Sequence, residues 1–328
     1  MIEILKTIWE ELEKRGLNKS IESFIRKGIP GIENNRCFIG IQIKTNKRAL
    51  IFNIKDFSKE YKNILIKNDF LNIILSKTKY NEKNLIILLE DLFYQDIFDI
   101  FIEDILECIF ENEKNENFFN ILINRINKWI NFFSNTKKEG LSLQKQIGLY
   151  GELYFILNFN DTKQNIFNWK GYDSYDKDFY FEDFGIEVKT TAKKKPYLIN
   201  ISNEKQLSLK GFKKIFLFVL IIEKSFHGND NLNEIIKKIK NKISNDIECL
   251  KMFNNKLLKY GYLESQSTFY KNSFIKLKEY FYEVSKEFPK ITENDLKKGI
   301  GNIRYSINLS DCNEYQITKE KIISIIKD

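Results

Sequence analysis

The sequence predicts an α/β (α+β) protein of two domains, and three observations lead to that prediction. Segments with apolar residues every three to four positions alternate with short runs rich in β-branched and aromatic residues. The 328 residues are 43% hydrophobic, which is enough to bury two cores. A polar stretch, residues 134–140, separates two such regions. We therefore expect an N-terminal α+β domain over residues 1–136, and a mixed central sheet flanked by helices, with a C-terminal α/β extension, over residues 137–328.

The N-terminal domain is predicted to begin with an amphipathic helix, because its first apolar residues have helical spacing. Two β-rich runs separated by a short polar stretch follow and are typical of an antiparallel hairpin. Neither these segments nor the two amphipathic helices after them contain a motif of known chemistry. The predicted elements are helix 2–14, strands 37–43, 49–54 and 85–89, and helices 91–110 and 118–133.

The second domain is predicted to alternate helices and strands, with most of its strands in one sheet. Its first part comprises helix 143–157, strands 167–169, 176–181, 186–191 and 197–201, helix 204–210, and strand 215–222. Its tail comprises helices 232–243 and 246–260, strands near 274–284 and 302–309, and a last helix, 318–326.

Composition limits the classes of function. The formal net charge of +8 suits an anionic partner without requiring one. The four cysteines form no C-x-x-C pair and the chain has a single histidine, which disfavours a zinc site. That residue, His227, lies in a loop-like sequence without a metal or base partner, so we do not expect it to be catalytic. The sequence suggests no secretion signal or membrane span, and we expect a cytoplasmic protein.

Residues 186–189 alternate between apolar and charged side chains. In a strand, this alternation would direct Ile186 and Val188 into a core and Glu187 with Lys189 onto the opposite face. An ordinary strand with one solvated face shows the same alternation, and the tetrapeptide alone favours that simpler interpretation. The case for a functional site therefore depends on the neighbouring residues.

A second acid precedes this strand. Asp178 belongs to a run that is separated from Glu187 by the turn-forming residues 182–185, which predicts a hairpin. If the tip is Glu182-Asp183, Asp178 lies opposite Glu187, whereas a bulge at Gly185 would shift the register. Two carboxylates so close repel each other unless a cation lies between them, and oxygen ligands suit Mg²⁺ or Mn²⁺. The sequence thus indicates a site for a hard divalent cation.

A third acid, Glu152, is the only charged side chain in the helical segment 148–157. Gly148 and Gly151 lie three residues apart, so this helix could approach another backbone closely. Glu152 is therefore a candidate site residue. The alternative is a surface glutamate on a core helix.

Taken together, residues 143–207 resemble the core of the PD-(D/E)XK nuclease superfamily, which includes many restriction endonucleases. The chain is more narrowly similar to a bacterial family of PD-(D/E)XK motif proteins. The resemblance extends over nearly the whole chain and implies a restriction-endonuclease-like core. Its landmarks are residues 148–153, Trp169, Gly171, 178–179, 187–191, 201–202 and 206–207, with Trp129 before the core and 261–262 and 288–289 after it.

The resemblance implies a role for each candidate residue. Asp178 and Glu187 would ligate Mg²⁺ or Mn²⁺ together with the carbonyl of Val188. Lys189 would orient or activate the attacking water, and Glu152 would add a carboxylate from the helix.

Gln206 would be an accessory catalytic residue by the same resemblance. The sequence departs from the family pattern at two positions. Lys177 precedes Asp178 where the signature has proline, although that proline varies across the superfamily. Lys210 follows Gln206 by four residues where a tyrosine is expected, which weakens the assignment of Gln206.

A basic stretch follows the strand and is a candidate for nucleic-acid binding. Lys193, Lys194 and Lys195, with the hydroxyls of Thr190 and Thr191, could contact flanking phosphates. The alternative is that the three lysines form a solvated turn.

The function implied by the resemblance is a metal-dependent endonuclease that acts on DNA in a bacterial restriction or phage-defence setting. The rival is a catalytically silent nuclease fold that serves as a DNA-binding or scaffold subunit and recruits an ATPase or methyltransferase. A nuclease acting on RNA is a third option. The sequence indicates no membrane partner and leaves the oligomeric state open, a homodimer included.

Overall fold

The computed structural model describes residues 2–15, 23–29, 31–32, 37–54, 62, 64–78, 82–112, 117–135, 139–159, 161–172, 175–192, 194–225 and 230–327. The chain divides into two compact units, Met1–Thr136 and Lys137–Asp328. Each unit combines helices with a sheet, which confirms the predicted mixed α+β class. Within the described ranges, we find no helix with both the length and the apolar character needed to cross a membrane.

The first unit contains three α-helices and six strands in its described part. They are α1 (Ile2–Arg15), β1 (Phe24–Gly28), β2 (Cys37–Gln42), β3 (Lys47–Ile54), β4 (Ile66–Lys67), β5 (Leu71–Lys77), β6 (Lys83–Leu89), α2 (Gln95–Asn112) and α3 (Phe118–Asn135). The strands form one antiparallel sheet in the order β1-β2-β3-β6-β5-β4. The predicted hairpin is present as β2 and β3, whereas β1, β4 and β5 were not predicted.

The second unit contains the elements that carry the candidate site. They are α4 (Leu143–Asn158), α5 (Thr162–Asn168), β7 (Phe179–Tyr180), β8 (Phe184–Thr191), β9 (Leu198–Ile201), β10 (Lys214–Ser225), α6 (Leu232–Lys242), α7 (Ile247–Tyr260), β11 (Ser273–Glu283), β12 (Tyr305–Asn308), β13 (Gln316–Ile317) and α8 (Lys319–Lys327). A five-stranded sheet has the order β13-β11-β10-β8-β7, and β12 pairs with β9 separately. Because β8 and β10 are parallel and the other pairs antiparallel, the sheet is mixed, as predicted.

Local sequence signals set the helix ends in this unit. Ser142 and Asp246 precede α4 and α7, and each side chain accepts a hydrogen bond from a main-chain N–H in the first turn. Gly261 ends α7 at a φ of 99°, a conformation that glycine adopts without the steric cost of a Cβ. Capping residues therefore account for the bounds of the two helices that contribute to the site.

Two cores lie on opposite faces of the main sheet. Alternate residues of β10 pack with the helices on one face, and the others pack with β9 and β12 on the opposite face. Strand β8 follows the same alternation, with Ile186 and Val188 in the helix-side core. Glu187 and Lys189 therefore project from the other face, as their spacing predicts.

Some of the predicted elements are wrong or shorter. Where a strand was predicted at 167–169, the first two residues instead end α5, which begins because Asp161 caps it, and Trp169 forms a single β-bridge with Phe179. The helix predicted at 204–210 is only a turn, because the Asn203 side chain accepts the main-chain N–H groups of Lys205 and Gln206. The strand predicted at 176–181 is reduced to β7.

Candidate active site

The hairpin of β7 and β8 places Asp178 beside β8. Phe179 pairs with Ile186, and the N–H of Phe181 donates to the carbonyl of Phe184 at 2.9 Å, so of the two registers that the sequence left open the structure has the two-residue tip without a bulge at Gly185. Asp178 Oδ2 accepts a hydrogen bond from the Val188 N–H at 2.7 Å. The Asp178 carboxylate is thus held against the strand, next to the residue that follows Glu187.

Glu187, Lys189 and Gln206 form a connected group on the other face of β8. Lys189 Nζ lies 2.7 Å from Glu187 Oε1 as an ion pair, and it donates a hydrogen bond to Gln206 Oε1 at 2.9 Å. The same Gln206 oxygen accepts the Ser202 N–H at 2.7 Å, which anchors the amide. Two partners therefore fix the ammonium of Lys189.

Glu152 is buried on α4 and is held by two neutral donors. Trp169 Nε1 donates to Glu152 Oε2 at 2.6 Å, and the Tyr260 hydroxyl donates to Oε1 at 3.2 Å. These donors orient the carboxylate, but neither carries a positive charge that would balance it.

Two glycines allow the close approach that assembles these acids. A Cβ at Gly151 would lie 1.7 Å from Thr190 Oγ1, so only glycine lets α4 pack against β8 at this point. A Cβ at Gly171 would lie 2.1 Å from Glu152 Oε2 and 2.8 Å from Asp178 Oδ1. The Glu152 and Asp178 carboxylates therefore meet at Gly171.

Burial and mutual repulsion favour the protonated acids at this site. Burial, reinforced by the Asp178 charge and opposed by Lys189, raises the pKa of Glu187 to about 8. Burial and then Asp178 raise the pKa of Glu152 well above its ordinary value. Burial also raises the pKa of Asp178, against the effect of Lys189. Burial alone would lower the pKa of Lys189, but the Glu187 and Asp178 charges raise it. An added cation would relieve this repulsion.

The side chains fit a hard divalent cation. Glu187 is 1% exposed, and while Oε1 faces the Lys189 ammonium, Oε2 has no hydrogen-bond partner among the described residues, so this carboxylate lacks one of the donors that a buried acid normally has. Among all the residues that the structure describes, no three His, Cys, Asp or Glu side chains form a complete metal site by themselves. Mg²⁺ is usually held by one or two carboxylates, with water and substrate phosphates as the other ligands. Asp178, Glu187 and the Val188 carbonyl would supply such a set.

A comparison with known protein families identifies the family of the chain. A family model described as "Putative PD-(D/E)XK family member (DUF4420)" matches residues 5–310. The chain belongs to this family. A search of curated proteins and a search of solved structures each returned no match. The family covers parts of both units, and the mixed α+β architecture is consistent with its nuclease-like fold.

Lys177, where the PD-(D/E)XK signature has proline, is buried in the structure. Its Nζ donates to the carbonyl of Lys205, the residue before Gln206, and lies 5.8 Å from the ring centroid of Phe212. Burial lowers the pKa of Lys177, and the Glu187 charge opposes that effect. Lys177 thus supports the turn that holds Gln206, a contact that sequence reasoning missed.

Two further contacts of the candidate site also escaped the sequence analysis. Trp169 was recognised only as a landmark of the resemblance, and its indole N–H donates to Glu152. Tyr260 was not singled out at all, because it lies 108 residues from Glu152 and no local pattern marks it.

The candidate nucleic-acid contacts next to the PD-(D/E)XK strand have different surroundings. Lys194 and Lys195 are exposed, whereas Lys193 lies outside the described residues, as does His227. Thr190 packs against Gly151, and Thr191 is buried. The hydroxyl of Thr190 makes no hydrogen bond within the described part of the chain.

Proposed function

We propose that this protein is an endonuclease that hydrolyses phosphodiester bonds in DNA with Mg²⁺ or Mn²⁺, in a bacterial restriction or phage-defence setting. The observation that carries the proposal is the Glu187 carboxylate, which is buried beside Asp178 with Lys189 on Oε1 and, among the described residues, no hydrogen-bond donor on Oε2. A buried carboxylate oxygen without a donor, next to a second acid, is costly, and a cation ligand would remove that cost. Membership of the PD-(D/E)XK family supports the nuclease class.

Each residue has a separate task in the proposed reaction. A bound divalent cation supplies charge that polarises the phosphoryl group and favours ionisation of a bound water. Asp178 and Glu187 hold that cation with the Val188 carbonyl. The ammonium of Lys189, fixed by Glu187 and Gln206, orients the attacking water and stabilises the negative charge that develops on the phosphate.

Glu152 provides a third carboxylate whose orientation is set by Trp169 and Tyr260. Gln206 acts on Lys189 rather than on the phosphate, because its oxygen already accepts both the Lys189 ammonium and the Ser202 N–H. We therefore assign Gln206 as a positioning residue.

Plasmid cleavage by site variants tests the proposal. With Mg²⁺ or Mn²⁺, Asp178→Ala and Glu187→Ala should abolish nicking and linearisation, since each removes a cation ligand. Lys189→Ala should cleave about a hundredfold more slowly if the ammonium stabilises developing charge. Asp178→Ala should still bind DNA without metal at least as well as wild type, because it removes a negative charge.

Glu283→Ala is a matched control. Glu283 lies on β11 of the same sheet and pairs with Lys321 at 3.1 Å, so its loss changes net charge equally outside the site. Wild type and control should cleave alike, with candidate ATPase or methyltransferase partners added in parallel. Equal cleavage by all variants would locate the active site elsewhere. Cleavage of RNA but not of DNA would show that the substrate is RNA. No cleavage under any condition would favour the scaffold alternative.

A further inference from the structure

A basic and aromatic group of residues lies beside the candidate active site. We call Phe167, Lys170, Tyr172 and Lys259 the Lys170 cluster. Phe167 is 63% exposed, and Lys170 Nζ lies 5.9 Å from its ring centroid. Lys259 Nζ lies 5.3 Å from the ring centroid of Tyr172. Neither Lys170 nor Lys259 forms an ion pair with an acid among the described residues, whereas many other lysines of this unit do.

The cluster is joined directly to the backbone of the site. The N–H groups of Lys170 and Gly171 donate to the carbonyl of Asp178 at 2.7 and 3.2 Å. Gly171 is also the point where the Glu152 and Asp178 carboxylates meet. The backbone that carries Lys170 is therefore fixed next to Asp178, one of the acids that we propose hold the cation.

Lys256 fixes the segment that carries the cluster. This lysine is buried, and its Nζ donates to the carbonyls of Ile166, Phe167 and Trp169 at 2.5, 2.9 and 2.9 Å. Burial, with the charges of Lys170 and Lys259, lowers the pKa of Lys256 to about 7. The contacts hold the backbone in place, and the like charges of Lys170 and Lys259 add to the effect of burial on Lys256.

We propose that the Lys170 cluster binds the DNA backbone next to the scissile phosphate through Lys170 and Lys259, with Phe167 stacking on an unpaired base. Lysines without acid partners suit phosphates, which would neutralise their mutual repulsion. An exposed aromatic ring suits the face of a base, which becomes accessible only where the strand is unstacked. The inference rests on the proposed nuclease function, because it takes DNA as the substrate.

Salt-dependent DNA binding by the full-length protein tests the two lysines. Binding of a fluorescent duplex is measured by anisotropy at several NaCl concentrations without divalent metal. Lys170→Ala/Lys259→Ala should flatten the slope of log affinity against log salt by about 1.8, because each lost phosphate contact contributes about 0.9. The control is Lys238→Ala/Lys240→Ala, which removes the same charge from lysines that already pair with Asp230 and Glu264. Its slope should match wild type.

A second comparison tests Phe167. Phe167→Ala should weaken binding about tenfold for a duplex with an unpaired stretch, and leave a fully paired duplex unaffected, because stacking needs a free base face. An equal effect on both DNAs, or none on either, would overturn the stacking role.

The failure of this inference is distinguishable from that of the proposed function. If wild type cleaves DNA but the lysine variant keeps the wild-type slope, the cluster is not a phosphate site and the nuclease proposal stands. If the slope flattens as expected but wild type never cleaves, the cluster is supported and the nuclease proposal fails. A wild type that binds no DNA, or a control variant with the same flattened slope, would overturn the inference.

Discussion

Both units bury acids against tryptophan, but they neutralise them differently. In the first unit, Asp99 accepts the Trp9 indole N–H at 2.8 Å and also pairs with Arg48 at 3.1 Å. In the second unit, Glu152 accepts the Trp169 indole N–H, and its other hydrogen bond comes from the uncharged Tyr260. The acid in the first unit thus has its own cation, whereas Glu152 does not.

A second acid of the first unit, Asp104, also has a cationic partner of its own. Asp104 accepts two hydrogen bonds from Arg125, at 2.6 and 2.7 Å, and a third from Trp129 at 2.8 Å. By contrast, residues 137–328 contain a single arginine, Arg304, and the charges of Glu187, Asp178 and Glu152 all act on one cation, Lys189. The difference fits a structural role for Asp99 and Asp104 and, under the proposed function, a ligand-binding role for the site acids.

The largest expected contrast is between Asp99→Asn and Glu187→Gln in urea unfolding without metal. Asp99→Asn should destabilise the protein by about 3 kcal/mol, because it removes the buried counter-charge of Arg48 and leaves only the exposed Glu13 as its acidic partner among the described residues. Glu187→Gln should change the stability of the metal-free protein much less, because the relief of repulsion with Asp178 offsets the loss of the ion pair with Lys189. If Glu187→Gln were as destabilising as Asp99→Asn, Glu187 would be a structural acid.

The pH dependence of stability should also show that the site carboxylates resist ionisation in the metal-free protein. The pKa of Glu187 is raised to about 8 from an ordinary 4.5, so the folded state retains a proton that the unfolded chain releases. The contribution of Glu187 to the free energy of unfolding is therefore fully present below about pH 4.5 and is lost as pH rises to about 8. The raised pKa of Glu152 acts in the same direction.

Thermal unfolding with a chelator present measures this effect. The Tm of wild type should fall between pH 5 and 8.5, and Mg²⁺ or Mn²⁺ should restore it at the upper end, because the cation binds the ionised carboxylates. Glu187→Gln should flatten the profile. If Glu187→Gln keeps the wild-type dependence of Tm on pH, Glu187 is not the group whose ionisation lowers the stability.

Sequence patterns predicted the parts of the fold that depend on neighbouring residues. Helix α4 was predicted at 143–157 and spans Leu143–Asn158, because its spacing and cap are local. The hairpin around residues 182–185 also followed from adjacent residues, but its register was left open until the structure showed the two-residue tip that brings Asp178 to Val188. The aromatic run at 167–169 misled the prediction, since the Asp161 cap decided in favour of a helix.

Contacts between distant residues could not be predicted in this way. Tyr260 reaches Glu152 only because α7 and α4 belong to the same core, and the Lys177 contact with the Lys205 carbonyl depends on a turn that was predicted as a helix. A single sequence shows which acids are unusual, but it does not show which donors surround them.

The smallest expected effect concerns the hydroxyl that Tyr260 donates to Glu152. Tyr260→Phe keeps the ring and removes one hydrogen bond, so it should cost about 1 kcal/mol of stability and slow cleavage severalfold by loosening Glu152. Tyr154→Phe is the matched control, because Tyr154 donates to Glu279 at 2.6 Å and Glu279 already pairs with Lys276. It should cost similar stability in urea unfolding and leave plasmid cleavage unchanged. Equal slowing by both variants would show that cleavage follows general stability, and the distinction between site acids and structural acids would fail for Glu152.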